Sequence, residues 1–369
     1  MSPRSIVTGL DIRACADRIE SLQQRDGAIP WVETGVWDPW NHGESAMGLA
    51  VAGRVEGVHL ALDALAARQE ADGGWTGELG AGIPMDESGE RIAPPPVPVT
   101  ARDTNFAGYA AVTVMRCALA LDEPRLIARY FPMVARALDF VMNLQTRHGD
   151  VVWRAPDIGQ PLEDVDALRA GNSSLFKSFE CGLRMAEILE KPRTDWARSR
   201  AAIARALTAM PERFDRKGID RSSYAMDWYY PVLAGVLTGA DAKARLDEGW
   251  DTFVVADLGC RCVTGEPWVT AAETAELALA CLSAGRRDDA RTLVNELAPL
   301  AAPDGGYWMG WQYEIGDVWP KERPSWTAGA VILAADALDA LSPGSDLLIR
   351  HARADAWLER ALKPAQKFE

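Results

Sequence analysis

The sequence predicts an all-α protein, an (α/α)6 barrel (α/α toroid) with six inner and about six outer helices. Three observations lead there. Helical stretches of two compositions alternate along the chain, one kind recurs six times, and a glycine–tryptophan corner returns between them. Neither an alternating strand series nor a hairpin signal competes with this reading.

The first kind of helix is amphipathic and charged. It covers 11–24, 56–69, 128–145, 197–210 and 286–302, each with an apolar stripe opposite a face rich in Arg, Asp and Glu. Such helices bury one side and wet the other. The second kind has few charges and many small residues, and begins near Asn41, Asp103, Asn172, Asp227, Thr270 and Trp326. Helices apolar most of the way round are buried most of the way round, and a spacing of about sixty residues marks a structural repeat. The linkers before these inner helices are rich in Gly, Pro and Trp. The longest, 76–100, holds too many prolines for a helix and is expected to form a surface flap. No interdomain linker interrupts the pattern, so residues 1–369 are read as one toroid domain. A hydrophobic content of 48% is ample for its core.

Composition excludes several partners. The net charge of −14 argues against nucleic acid and anionic lipid, both of which need a basic surface. The opening MSPRSIVTGL has no signal-peptide pattern, and no apolar run is long enough for a transmembrane helix. The six cysteines are scattered without a CxxC, and Cys117, Cys181 and Cys281 sit in apolar helical runs as small hydrophobes. A reducing cytoplasm is the expected compartment. With four histidines in the chain, no zinc site is expected, and neither is any other metal or cofactor.

The corner is clearest at QEADGGW, 69–75. Gln69 closes an outer helix, Asp72-Gly73-Gly74 supplies turn chemistry, and Trp75 leads towards the next inner helix. Looser versions are QQRDGAIPW (23–31), QTRHGDVVW (145–153) and APDGGYW (302–308). A joint between an outer and an inner helix explains Gln69 and Trp75 better than ligand contact does. Q-x3-G-x-W resembles the QW motif of squalene-hopene and oxidosqualene cyclases, in the terpenoid cyclase and protein prenyltransferase toroid superfamily. Only Gln69, Gly73 and Trp75 match it fully. Across nearly its whole length the chain also resembles actinobacterial proteins labelled prenyltransferases, through WDPWNHGESAM, SYAMDWYYPVLAG, GCRCVTGEPWVTAAETAELAL and VWPKERPSWTAGAVILAADAL. The resemblance implies the toroid fold. It leaves that family's chemistry without its usual residues: no DxDD or DDxxD occurs, and the nearest string is EDVDAL (163–168). The zinc pattern D-x-C is replaced by Asp257-x-x-Cys260, with His351 as the only later histidine.

In such a barrel the inner-helix starts surround one mouth of the central cavity. Those starts hold Asp38, Trp40, Asn41, His42 and Glu44; Arg102, Asp103 and Asn105; Asn172, Ser173 and Ser174; and Asp227, Trp228, Tyr229 and Tyr230. The fifth and sixth bring Glu266, Trp268, Thr270 and Glu273, then Tyr307, Trp308, Trp311, Tyr313, Glu314 and Trp319. Eleven of the 14 tryptophans fall in these loops or first turns, which points to an aromatic-lined site for a small molecule. Asp227 is the leading acid or base, followed by Asp103 with Arg102 beside it, then Glu44 and Glu273. Each Asp or Asn could equally be a plain helix cap. His42 could shuttle a proton or simply hydrogen-bond at the helix start. Substrate contacts are expected from Trp40, Asn41, His42, Asn105, Trp228, Tyr229, Trp268, Trp308, Trp311, Tyr313, Glu314 and Trp319.

Three functions fit. The first is a terpenoid cyclase-like or prenyltransferase-like enzyme using metal-independent carboxylate acid/base chemistry on an isoprenoid-like substrate. The alternative is a carbohydrate-active (α/α)6 enzyme, a glycoside hydrolase or epimerase, with paired carboxylates and tryptophans stacked on a sugar. The third is a non-catalytic binding toroid.

Overall fold

The structure is a computed structural model and describes residues 10–33, 35–80, 101–218 and 220–362. The inner helices are α2 (Pro39–Val51), α4 (Thr104–Ala120), α6 (Arg169–Ile188), α8 (Ala225–Leu233), α10 (Ala271–Ser283) and α12 (Ser325–Asp339). Each packs on the next, and α12 packs back on α2, so the ring closes. The outer helices are α1 (Ile12–Leu22), α3 (Val55–Ala67), α5 (Arg125–Asn143), α7 (Thr194–Ala209), α9 (Gly239–Phe253) and α11 (Arg287–Glu296). Of these, α9 was not among the charged stretches singled out in the sequence. A short α13 (Ala356–Leu362) lies against α7. The expected flap begins inside the described residues, where Leu79 bridges Trp37 and Thr76 bridges Arg102; its remainder, 81–100, lies outside them.

The small residues of the inner helices let their backbones approach. A Cβ on Gly329 of α12 would stand 2.7 Å from the Glu44 carbonyl oxygen on α2. The buried core accordingly runs without a break through Ala107–Cys117 on α4 and Leu277–Cys281 on α10.

The Gln–Gly corners are the joints of this ring. Gln69 Nε2 donates to the Gly73 carbonyl at 3.0 Å and to the Met133 carbonyl on α5 at 2.9 Å. Gln145 repeats this with Gly149 and Ser199 on α7, and Gln23 with Gly27 and Gly57 on α3. Gly27, Gly73 and Gly149 have φ of 88°, 97° and 102°, and each lies so close to the next outer helix that a Cβ would meet its backbone. Gly305 makes the same approach to Ala14 on α1, which closes the outer layer. Gln69→Leu is expected to cost about 1–3 kcal/mol, since two carbonyls lose their donor; thermal denaturation measures it.

One feature departs from the all-helical expectation. Between α9 and α12 lies a five-stranded antiparallel sheet in the order β1 (Val254–Val255), β2 (Gly259–Arg261), β3 (Trp268–Thr270), β4 (Gly310–Gln312), β5 (Asp317–Val318). Strands of two or three residues are too short for a period of two to register in the sequence. This sheet occupies a corner where, among the described residues, no Gln–Gly joint is found.

The opposite end of the ring is closed by the run 343–355. Lys177 donates to the Arg350 carbonyl, and Arg200 donates to those of Ala352 and Arg353. His351 lies in this run; Ser283 and Lys177 meet its two ring nitrogens. Burial holds the His351 ring neutral, its pKa lowered to about 2.

Candidate active site

Away from their C-terminal ends, the inner helices are buried almost everywhere except at their starts. Partly exposed residues there are Asn41, Asn105 and Phe106, Arg169 and Ala170, Met226, Ala272 and Glu273 with Glu276 one turn on, and Trp326. Outer helices cover the other side, so these residues line the mouth where solvent reaches the centre of the ring. Asn105 Oδ1 is buried there without a hydrogen-bond partner, as a group awaiting a ligand would be.

The carboxylates at the mouth divide by what already occupies their oxygens. Asp38 caps α2 through Oδ1, which accepts from Asn41 N at 2.9 Å. Its Oδ2 accepts from the Trp31 indole at 2.6 Å and the Asn41 amide at 2.7 Å. Burial lifts it to about 6, against these donors. Both oxygens are used, so Asp38 is an anchor for Trp31 and Asn41. Asp227, 5% exposed, accepts from Ala170 N at 3.2 Å and ties the start of α8 to that of α6. Burial and the charge of Asp215 raise it to about 6.

Asp103 differs. Its cap bonds, from Asn105 N at 2.7 Å and Phe106 N at 3.0 Å, both fall on Oδ1, and the residue is partly exposed. Burial raises it to about 7 against those N–H groups, and the Asp38 charge adds to the rise. Arg102 is not its counter-ion, for its guanidinium pairs with Asp72 at 2.9 Å. Glu273 is tied to the helix cap Thr270: the Thr270 hydroxyl accepts from Glu273 N and donates to the Glu273 carboxylate. Cys262 also donates to it, and burial raises its pKa.

Deeper lies a second pair. Glu44 accepts from the Tyr109 hydroxyl, and burial raises it to about 7. Glu276 accepts from the hydroxyls of Tyr229 and Tyr230, and burial together with the Glu44 charge raises it to about 8. Trp40 stacks on Tyr109 at 3.8 Å and 14°. Glu44, Tyr109, Tyr230 and Glu276, with Ser174 and Lys177, line a cavity of about 30 Å³, room for roughly one water and far too small for a sugar. The sequence reading missed Glu276. Its signal was there: Glu273 and Glu276 are three apart on one face of a charge-poor helix.

Several expected ligand contacts are joints instead. His42 Nδ1 accepts from Ile29 N at 3.1 Å and its Nε2 meets the Ala61 carbonyl at 2.9 Å. Burial lowers its pKa to about 4, so it stays neutral and is no proton shuttle. Trp228 donates to the Arg245 carbonyl and stacks on Phe253 of α9. Trp37 and Trp75 are buried in corners, which accounts for part of the tryptophan bias. Asn172 amide and carbonyl groups hold Val151, and Tyr229 is buried on Glu276. The sheet carries Trp268, Trp311 and Tyr313, with Arg261 donating to the Tyr313 hydroxyl. Trp308 lies under Arg323, Glu314 is exposed in the turn between β4 and β5, and Trp319 follows β5. Among the described residues no group of three or more His, Cys, Asp or Glu is placed to hold a metal.

These raised carboxylates fix the sign of a pH effect. Asp38, Glu44, Asp103, Asp227 and Glu276 lie above their unfolded values near 4, so the folded chain binds more protons in that interval. Their contribution is full below about pH 4 and is lost as pH rises through about 6 to 8. Arginine-paired Asp150 and Asp195, held low, act oppositely in acid. Urea midpoints are therefore expected to peak near pH 5 and fall towards pH 8.

Solved toroids follow the same course of chain. A glycosidase variant in complex with glucose superposes with a TM-score of 0.65 at 13% identity, over 90% of this chain and 96% of that one. The GH63 mannosylglycerate hydrolase from Thermus thermophilus in complex with glucose gives 0.63 at 13% identity, over 87% and 99%. No family model matches the chain. A relative from Mycolicibacterium hassiacum, the MMP endo-(1,4)-3-O-methyl-alpha-D-mannosidase, is 36% identical over 342 residues, 93% of this chain and 90% of its own. The fold, the carboxylate-ringed mouth and these likenesses define a carbohydrate-active (α/α)6 enzyme. The chain belongs to the family of that mannosidase. The terpenoid cyclase and prenyltransferase expectation finds no support among these relatives. The toroid it rested on is common ground, which is why the resemblance carried the fold and not the activity. Among the described residues no helix is long and apolar enough to cross a membrane.

Proposed function

We propose that the protein is an endo-acting glycoside hydrolase that cleaves α-(1,4) links in a chain of 3-O-methylated mannose. The observation that carries this reading is the 36% identity to the M. hassiacum mannosidase, sustained over 93% of the chain and so around the whole ring. The site supports it. Asp103 opens α4 and Glu273 opens α10, and in a ring of six these helices face each other across the mouth. Among the described residues they are the partly exposed carboxylates at the cap or first turn of an inner helix, with Glu276 a turn further in. Asp103, raised to about 7, holds a proton near neutral pH and can donate it to the glycosidic oxygen as that bond breaks. Glu273, steadied by Thr270 and Cys262, takes a proton from the water that attacks the anomeric carbon. A base that takes its proton from the attacking water makes the displacement an inverting one.

Closure of the ring, with α12 packed back on α2, makes the toroid one catalytic domain in this reading. A reducing cytoplasm is supported by six free cysteines, all but Cys262 buried. The test is product analysis with linear 3-O-methylated α-(1,4)-mannan oligomers, unmethylated mannan and prenyl diphosphates. Mid-chain fragments from the methylated oligomer are expected; no cleavage of any mannoside would overturn the reading.

A further inference from the structure

We propose that the corner made by Trp268 and Trp319 is a glycan subsite that takes the methylated face of a sugar beside the cleaved linkage, an inference that rests on the hydrolase reading above. Trp268 lies on β3, two residues before Thr270, so the two side chains share a strand face about 7 Å apart, while Val269 between them is fully buried. The Thr270 hydroxyl holds Glu273, which sets the corner one pleat from the proposed base. Gly310 makes room for it: a Cβ there would stand 2.4 Å from the Trp268 indole nitrogen, so only glycine lets the ring lie across β4.

The indole of Trp268 donates to the Trp319 carbonyl at 2.6 Å, and the two rings meet edge to face at 5.1 Å and 77°. Trp319 nevertheless remains 50% exposed. An indole held in place by a neighbouring ring and left half in water presents a rigid apolar face on which a sugar ring can stack. The occupant follows from two features. The corner is continuous with the mouth through β3, so it meets the next unit of whatever chain is cut there. Its Trp268 N–H is already spent on the Trp319 carbonyl, so that ring offers a sugar an apolar face and no donor, which suits an O-methyl group better than a hydroxyl.

The test is calorimetric binding of linear α-(1,4)-mannose oligomers, with and without 3-O-methyl groups, to the full chain and to Trp319→Ala, Trp319→Phe and Gly310→Ala. The natural chain is expected to prefer the methylated oligomer by about fourfold per methyl buried. Trp319→Ala and Gly310→Ala should abolish that preference, and Trp319→Phe should keep most of it. An unchanged preference in Trp319→Ala, or none in the natural chain, overturns the subsite. A Trp319-dependent preference in a chain that cleaves no mannoside would leave the subsite standing and remove the hydrolase; cleavage without any methyl preference would do the reverse.

Discussion

Asp103→Asn and Glu273→Gln are each expected to lower kcat for glycan cleavage by about 10²–10⁴-fold, the usual worth of a positioned acid or base. The asparagine in the first variant would still cap α4, since its side-chain oxygen can accept from the same N–H groups. Loss of activity in a normally folded protein would therefore report the proton and not the fold. In the natural enzyme, activity should fall as pH rises through about 7, where Asp103 loses the proton it must donate. Asp227→Asn, at the leading candidate of the sequence, should change kcat less than about tenfold, because the structure uses that carboxylate to hold Ala170 N. If Asp227→Asn is the inactive variant and Asp103→Asn turns over normally, the acid has been assigned to the wrong helix. Steady-state kinetics with circular dichroism as a folding control decides it.

Glu180→Ala is expected to destabilise the fold by about 3–5 kcal/mol, the range found when one member of a buried ionic network is removed. Glu180 is fully buried and meets Lys177 at 3.0 Å, Arg184 at 2.8 Å and Arg200 at 3.0 Å. It also accepts from Ala352 N at 3.1 Å. Alanine would leave three cations close together with no counter-charge, two of them buried. Lys177, already lowered by burial, would be driven towards the neutral form. Because Lys177 and Arg200 grip the carbonyls of Arg350, Ala352 and Arg353, the run that closes the ring should loosen with them. Urea denaturation measures the loss, and faster amide exchange across residues 350–353 would locate it. A midpoint unchanged from the natural protein would show the network to be dispensable.

Part of this protein could be read along the chain. The alternation of charged and charge-poor helices, their six-fold recurrence and the Gln-to-Gly turn of each corner depend on neighbours within a few turns. Periodicity and turn chemistry express such dependence directly. Gln69, Gly73 and Trp75 do what their local pattern implied, and the inner helices start within three residues of their expected positions. The carbohydrate reading was open as an alternative because polar groups and tryptophans cluster at the helix starts. Its choice over the cyclase reading needed the relatives, since one toroid serves both chemistries.

Other features were decided in three dimensions. His42 became a neutral hinge because Ile29 N and the Ala61 carbonyl converge on it. Asp38 and Asp103 look alike as caps in the sequence, yet one has both oxygens bonded and the other is capped through a single oxygen. Glu180 and Ala352 are 172 positions apart and meet only once the ring has closed. What the sequence determined is the ring, because helix periodicity is a local property of the chain. What only the tertiary structure decided is which carboxylates remain free to react, because that depends on donors brought from distant segments and on the burial they share.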